Sequence, residues 1–254
     1  MTDILEMARL TSPEMAAAIP DIEVALQPIG ATEQHGPNLA LGTDFVAADR
    51  IARRVAAELG RRALLMPVLP FGLSPHHMGF PGTITLDAET VIRLCFDVAR
   101  SIDRQGIKAI VFVNGHNGNS AVLQVAATKI RYELGMRAAV AFYFAQASDR
   151  VRAHGRTQRF GHACEVETSV LMHLDAAYVR ADALVKGEMK ETGLAHGFNN
   201  DPFALQVPVP FDRQTANGVF GDARLASVEA GRDIVDTAVT RTVAFIESLK
   251  TASI

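Results

Sequence analysis

Only two cysteines, Cys95 and Cys164, occur among the 254 residues, and no Cys-x-x-Cys pair is present. Two thiols cannot build a disulfide framework, so a reduced, cytoplasmic protein is the expectation. Charge of one sign is also lacking: 25 Lys and Arg stand against 28 Asp and Glu, for a net charge of -3. With no basic excess to neutralise a phosphate backbone, nucleic acid is excluded as a partner. Long apolar runs are missing as well. Residues 138–145, among the longest, fall far short of the roughly 20 that span a bilayer. The Met1-Thr2-Asp3-Ile4-Leu5-Glu6 start has no basic region followed by an apolar one, hence no expected secretory signal. Tryptophan is absent altogether.

What is present is ample apolar material, 48% of residues, enough for a substantial core in a chain of this length. Strand and helix patterns alternate without internal repeats or low-complexity tracts. Val24–Ile29 is a short apolar run that reads as a buried strand despite Pro28, and residues 64–69 as a second, irregular at Pro67. Residues 107–113 and 138–144 complete the strands. Helical periodicity runs from Asp44 to Gly60 after a possible Thr43 cap, over 87–105 with Gly106 as its stop, from Asn119 or Ser120 to Leu134, and over 162–174 and 227–249. Residues 148–159 read as a polar loop, and 182–223 as loop-rich. Such alternation predicts an α/β fold, a three-layer α/β/α sandwich around a mainly parallel sheet, in one domain spanning 1–254. Ligands in such folds bind at the carboxyl ends of the strands.

Four segments concentrate polar chemistry. Glu33 and His35 are two apart, so they point the same way in extended chain, and Asp44 begins a helix; they read as metal donors, or as a solvated loop with a favourable helix start. His116, in Asn114-Gly115-His116-Asn117-Gly118-Asn119, follows the most apolar strand. The segment is a site loop or a plain Asn-Gly turn, and it lacks the spacing of a phosphate or dinucleotide loop. His162 and Glu165 open a helix, three apart on a predicted shared face, with Glu167 behind them. Both acids equally suit a helix dipole. Last, Ser74-Pro75-His76-His77 and Pro81-Gly82-Thr83 make a Gly- and Pro-rich loop that lines a pocket or satisfies itself.

Taken together and in order, these segments resemble the creatininase family. Its members carry a Glu-x-His-Gly segment with an Asp at fixed distance, a Pro-Gly-Thr turn, an Asn-Gly-His-x-x-Asn loop and a His-Ala-x-Glu helix start. The resemblance runs from about Gln27 to Arg180 and returns at Gly218-Val219-Phe220-Gly221-Asp222. It implies one α/β/α domain holding two divalent metal ions, zinc with manganese, iron or a second zinc. By position, Glu33 and His116 correspond to ligands of one ion, His35 and Glu165 to those of the other, and Asp44 to the bridge. His162 matches the histidine thought to move a proton to the leaving nitrogen. Substrate contacts are expected from Ser74, His76, Gly82, Thr83 and Asn119. Creatininase itself takes a ligand from a Glu where this chain has Gly118, and it closes tryptophans over its substrate; both differences place the chain outside creatininase proper.

The resemblance therefore implies a hydrolase of amide-like C–N bonds in a small molecule: a small cyclic amide, a formamide or a terminal peptide bond, with non-peptide bonds favoured. The alternatives are ring opening of a lactone or sugar-derived cyclic ketone, a non-catalytic metal-binding subunit, and a metal-free hydrolase using Cys164. The Cys164 reading is weak, because i and i+2 positions face apart on a helix. A homo-oligomer, such as a hexamer, is the expected assembly.

Overall fold

A computed structural model describes residues 4–192 and 207–249. Five strands form one all-parallel sheet: β1 Leu5–Glu6, β2 Val24–Ile29, β3 Ala63–Leu65, β4 Ala109–Asn114 and β5 Arg137–Phe142, in the order β1-β3-β2-β4-β5. Nine α-helices are present among the described residues: α1 Ser12–Ala18, α2 Thr43–Leu59, α3 Ala88–Arg104, α4 Ser120–Lys129, α5 Tyr143–Gln146, α6 Ser148–His154, α7 Glu165–Leu174, α8 Phe211–Gln214 and α9 Val228–Ser248. None is long and apolar enough to cross a membrane.

The period of two along each strand sorts side chains into two cores. Val24, Leu26, Ala109, Val111 and Val113 face α2, α7 and α9, whose Ile51, Val55, Val170, Ile234 and Val235 fill that layer. Ala25, Ile29, Ile110 and Phe112 face α3 and α4, meeting Val91, Cys95, Ala99, Ile102, Leu123 and Ala126. Each large aliphatic side chain buried this way contributes about 1.5–3 kcal/mol, so the sheet is held from both faces as the apolar run of β4 predicts.

Five elements differ from the sequence expectation. The strand predicted over 64–69 is only Ala63–Leu65. Pro67 has no N–H to give; the Gln27 amide donates to its carbonyl at 2.7 Å, and the chain rejoins β2 at Leu69, whose N–H donates to the Pro28 carbonyl at 3.0 Å. The predicted polar loop contains α6, which buries Val151 and is tied to α9 by Arg241 on Asp149. The helix expected from His162 begins only at Glu165. Strand β1 and helix α1 were not anticipated, although the Thr11–Glu14 capping box announces α1. Part of the loop-rich stretch, 193–206, lies outside the described residues.

Connections out of the neighbouring strands β2 and β4 run to opposite faces, to α2 and α4. Their carboxyl ends thus form the switch point where α/β sheets bind ligands. Two glycines let α2 press against that point. A Cβ on Gly30 would fall 2.3 Å from the Phe45 nitrogen, and one on Gly115 only 2.0 Å from the Asp44 carbonyl oxygen. We expect Gly115→Ala to cost about 1–3 kcal/mol, the usual penalty of overpacking, measured by urea unfolding. An unchanged midpoint would show that α2 is not so tightly seated.

Candidate metal centre

The segment leaving β2 carries Glu33 and His35, the first turn of α2 carries Asp44, and the turn after β4 carries His116. All four are buried. Asp44 spans the two imidazoles: its Oδ1 lies 3.2 Å from His35 Nε2 and its Oδ2 3.1 Å from His116 Nδ1. Glu33 Oε2 lies 3.4 Å from His116 Nε2, and Glu33 Oε1 3.2 Å from His77 Nε2 and 3.8 Å from His162 Nδ1. On the far side of His35, Glu167 Oε2 approaches Nε2 to 3.9 Å.

These contacts are close but not aligned as hydrogen bonds. Both Glu33 oxygens, His35 Nε2 and Asp44 Oδ2 are buried without a hydrogen-bond partner. Leaving a buried polar atom unsatisfied costs about 1–3 kcal/mol, so four converging in one place mark donors awaiting a common acceptor. Carboxylate and imidazole atoms of Glu33, His35 and Asp44 lie within 4.8 Å of one another, as do those of His35, His162 and Glu167. Two adjoining nitrogen and oxygen donor sets suit zinc, manganese or iron, and the residues fit a binuclear centre.

The second acid stands elsewhere than the sequence expectation places it. Glu165 does not face the cluster. Its Oε1 accepts from the N–H groups of Arg156 and Thr157 and from Thr157 Oγ1, and its Oε2 from the Asp222 N–H. Glu167 takes the place beside His35. The cause is a kink before α7: Ala163 has φ 50°, the only positive value at a non-glycine among the described residues, a conformation unusual for a residue with a side chain. Asn38 Nδ2 clamps it through the Ala163 carbonyl at 3.0 Å. His162 is therefore not on the helix but in an extended bridge to Phe220, which aims it at Glu33.

Of the expected substrate contacts, Ser74 and His76 lie at the cluster. Ser74 Oγ is 3.3 Å from His116 Nε2, and the His76 ring stacks on that of His116 at 5.6 Å. Thr83 instead holds the Gln34 N–H at 3.1 Å, and Gly82 forms a left-handed turn against Leu41. Asn119 is a clamp: its amide donates to the Gly30 carbonyl and accepts from the Leu73 N–H. Sequence reasoning missed His77, Glu167 and Gln34. The buried Gln34 amide donates to His77 Nδ1 at 2.9 Å and to the Gly218 carbonyl, and accepts from the Gly36 N–H. The adjacency of Gln34 to two donors, the His76-His77 pair and the Glu-x-Glu spacing were the available signals. At Gly118, a Cβ would fall 2.3 Å from His116 Nε2 and 2.6 Å from the Leu73 carbonyl oxygen, so no side chain fits there.

Protonation divides the imidazoles. Burial opposes charge on His35 and His116, yet Asp44 and Glu33 outweigh it and raise them to about 10 and about 9. Burial, reinforced by Asp44, lifts Glu33 and Glu167 to about 7, while the two cationic histidines overcome burial to hold Asp44 below the usual carboxylate range. His162 is kept neutral by burial and by neighbouring His35. Its Nε2 donates to the Gln34 carbonyl at 2.7 Å, which leaves Nδ1 facing Glu33. Cys164 is sealed, and burial, reinforced by Glu167, pushes its thiol far above the ordinary range, so it offers no thiolate near neutral pH.

Two expectations follow from the donor set. An ion must displace the protons on His35 and His116, so uptake should release protons and tighten as pH rises from 6 toward 9. Calorimetry in buffers of different ionisation enthalpy measures this, and pH-independent uptake without proton release would contradict it. Glu167→Gln should lose metal, whereas Glu165→Gln should keep it and lose about 1–3 kcal/mol of stability from its unmatched donors. Elemental analysis with thermal unfolding separates the two, and the reverse pattern would restore Glu165 as a ligand.

The family model for creatininase, described as creatinine amidohydrolase, matches residues 8–246. A mycofactocin precursor peptide peptidase of Mycolicibacterium smegmatis is 35% identical over 232 residues, covering 88% of this chain and 83% of that protein. A 3-dehydro-scyllo-inosose hydrolase of Thermotoga maritima is 25% identical over 244 residues, 89% of this chain and 78% of that protein. A solved mutant creatininase of Zn-Zn type superposes with a TM-score of 0.78 at 26% identity, covering 97% of this chain and 98% of that one.

Proposed function

The chain belongs to the creatininase family, and from that premise we propose that it is a metal-dependent hydrolase of an amide C–N bond in a peptide or peptide-like small molecule. The observation that carries this reading is the set of four unsatisfied buried donor atoms on Glu33, His35 and Asp44. Glu33, Asp44 and His116 would hold one ion, and His35, Asp44 and Glu167 the other. Divalent ions bound there supply Lewis acidity and a water-derived nucleophile near neutral pH.

The remaining work falls to the chain's own groups. Asp44 keeps the two donor sets in register, because its oxygens reach histidines from different segments. His162 accepts a proton at Nδ1 and delivers it to the departing nitrogen, without which an amide anion is a very poor leaving group. Its Nε2 bond to the Gln34 carbonyl fixes the ring for that transfer. The peptidase relative, similar over most of both chains, favours a peptide bond over the non-peptide amides expected from the motifs. A second reading, hydrolytic ring opening of a cyclic ketone or lactone, is supported by the Thermotoga relative. The leaving group distinguishes the two, since an alkoxide departs with less help from a proton donor at His162 than an amide nitrogen does.

We expect protein purified without added metal to hold about two divalent ions per chain, or to take them up on reconstitution, and Asp44→Ala to lose both. His162→Ala should retain the ions while turnover of short peptides or amides falls about 10²–10⁴-fold, with lactones much less affected. Elemental analysis and steady-state assays on both substrate panels decide this. No metal after reconstitution would sink the reading, and equal turnover by His162→Ala would remove that residue from the chemistry.

A further inference from the structure

Three imidazoles of the centre share one apolar neighbour. The Phe211 ring lies 4.1 Å from that of His77, 4.8 Å and edge-on from His162, and 5.8 Å from His76. Phe220 braces it edge to face at 5.2 Å. Helix α8 is seated for this contact. A Cβ on Gly79 would fall 2.4 Å from the Asp212 carboxyl carbon, and Lys190 Nζ donates to the Asp212 carbonyl at 2.7 Å.

Exposure gives the centre a direction. Among the described residues, Glu33, His35, Asp44 and His77 are sealed, His116 and His162 nearly so, and His76, Phe211 and Phe220 are half-buried. The inner walls are the ends of β2 and β4 and the first turns of α2 and α7. Among the described residues, the more exposed side of the centre is thus lined by an imidazole and by phenyl rings. Carboxylates and imidazoles supply the donor surface, and Phe211 is the apolar ring packed directly on it. Such a ring, held by an edge-to-face partner, gains from covering a flat or apolar group and offers nothing to a small polar one.

We propose that Phe211 is the specificity-determining residue of this centre, receiving the flat or apolar group attached to the carbonyl under attack. Acyl substrates with an aromatic or branched group beside that carbonyl are then preferred over small aliphatic ones. The proposal rests on the metal-dependent hydrolase reading and adds the substrate class to it. A ring that merely shields the histidines from water would stabilise the centre without distinguishing between ligands.

Acetohydroxamate and benzohydroxamate differ only in a methyl or phenyl group on the carbonyl, and both bind metal through the hydroxamate. Their affinities are compared by calorimetry for zinc-loaded wild type, Phe211→Ala and Phe211→Leu, with zinc content verified first. Wild type should bind benzohydroxamate about tenfold more tightly than acetohydroxamate. The preference should vanish in Phe211→Ala and shrink in Phe211→Leu, with zinc content and acetohydroxamate affinity unchanged. Equal binding of the two by wild type, an undiminished preference in Phe211→Ala, or no binding of either by zinc-loaded protein would overturn the proposal. Wild type that takes up no zinc fails earlier, at the metal reading, and removes the basis of this one with it.

Discussion

The centre depends on how closely the first turn of α2 approaches the carboxyl ends of β2 and β4. Gly30 and Gly115 have no Cβ, and each touches the backbone around Asp44 where a Cβ would overlap it. That approach lets one short carboxylate reach histidines carried by two different strand exits, at 3.2 and 3.1 Å. A longer acid on a more distant helix would reach the same atoms only by ordering more rotatable bonds, at a cost in entropy. Helix, strands and donors therefore share one constraint. Sheet order supplies the crevice, glycine supplies the clearance, and Asp44 joins the two donor sets.

The centre also explains why its own burial is tolerated. Three acids with little access to solvent repel one another, and the histidines among them compensate only in part, as the raised Glu33 and Glu167 show. Buried charge of this kind is poor value for stability. Its environments nevertheless separate histidines of ordinary chemistry into two groups. Those paired with Asp44 hold protons firmly, and those kept from charge by burial and neighbouring histidines stay neutral. Titratable groups pushed apart within one site are how a fold assigns acid, base and ligand roles. His162, neutral with one nitrogen committed to Gln34, fits a proton carrier better than a cationic ligand.

Much of the fold was legible because burial on both faces leaves strong patterns. Strand β2 is found at the residues its apolar run predicts, and α2, α3 and α9 begin and end within a residue or so of their caps and stops. Legibility fails where a local irregularity is rescued by distant atoms. Nothing near Pro67 announces that Gln27 will hold its carbonyl. Nothing within 148–159 announces that Asp149 will meet Arg241 on α9. At the site, motif order pointed to Glu33, His35, Asp44 and His116, which the fold brings together. Phe211 left no trace, because it lies in a stretch without periodicity and its role comes only from packing on histidines more than 40 residues away in sequence.

The choice between Glu165 and Glu167 shows what a motif cannot carry. Both acids open the same helix and both are buried, so helix position and burial leave them equal. Hydrogen-bond supply separates them. Glu165 receives four donors, from residues 156–157 and from Asp222, and Gly221 admits the last of these because a Cβ there would fall 2.6 Å from Glu165 Oε2. A carboxylate so saturated has few lone pairs left for an ion. Glu167 accepts only from the Ala163 N–H among the described residues, and turns its acceptor capacity toward His35. The left-handed Ala163 makes both outcomes possible, since it releases His162 from the helix and sets the angle at which the first turn meets the centre. An uncommon backbone conformation held by Asn38 therefore decides which of two equivalent acids becomes available, a choice made two residues before the helix that carries them.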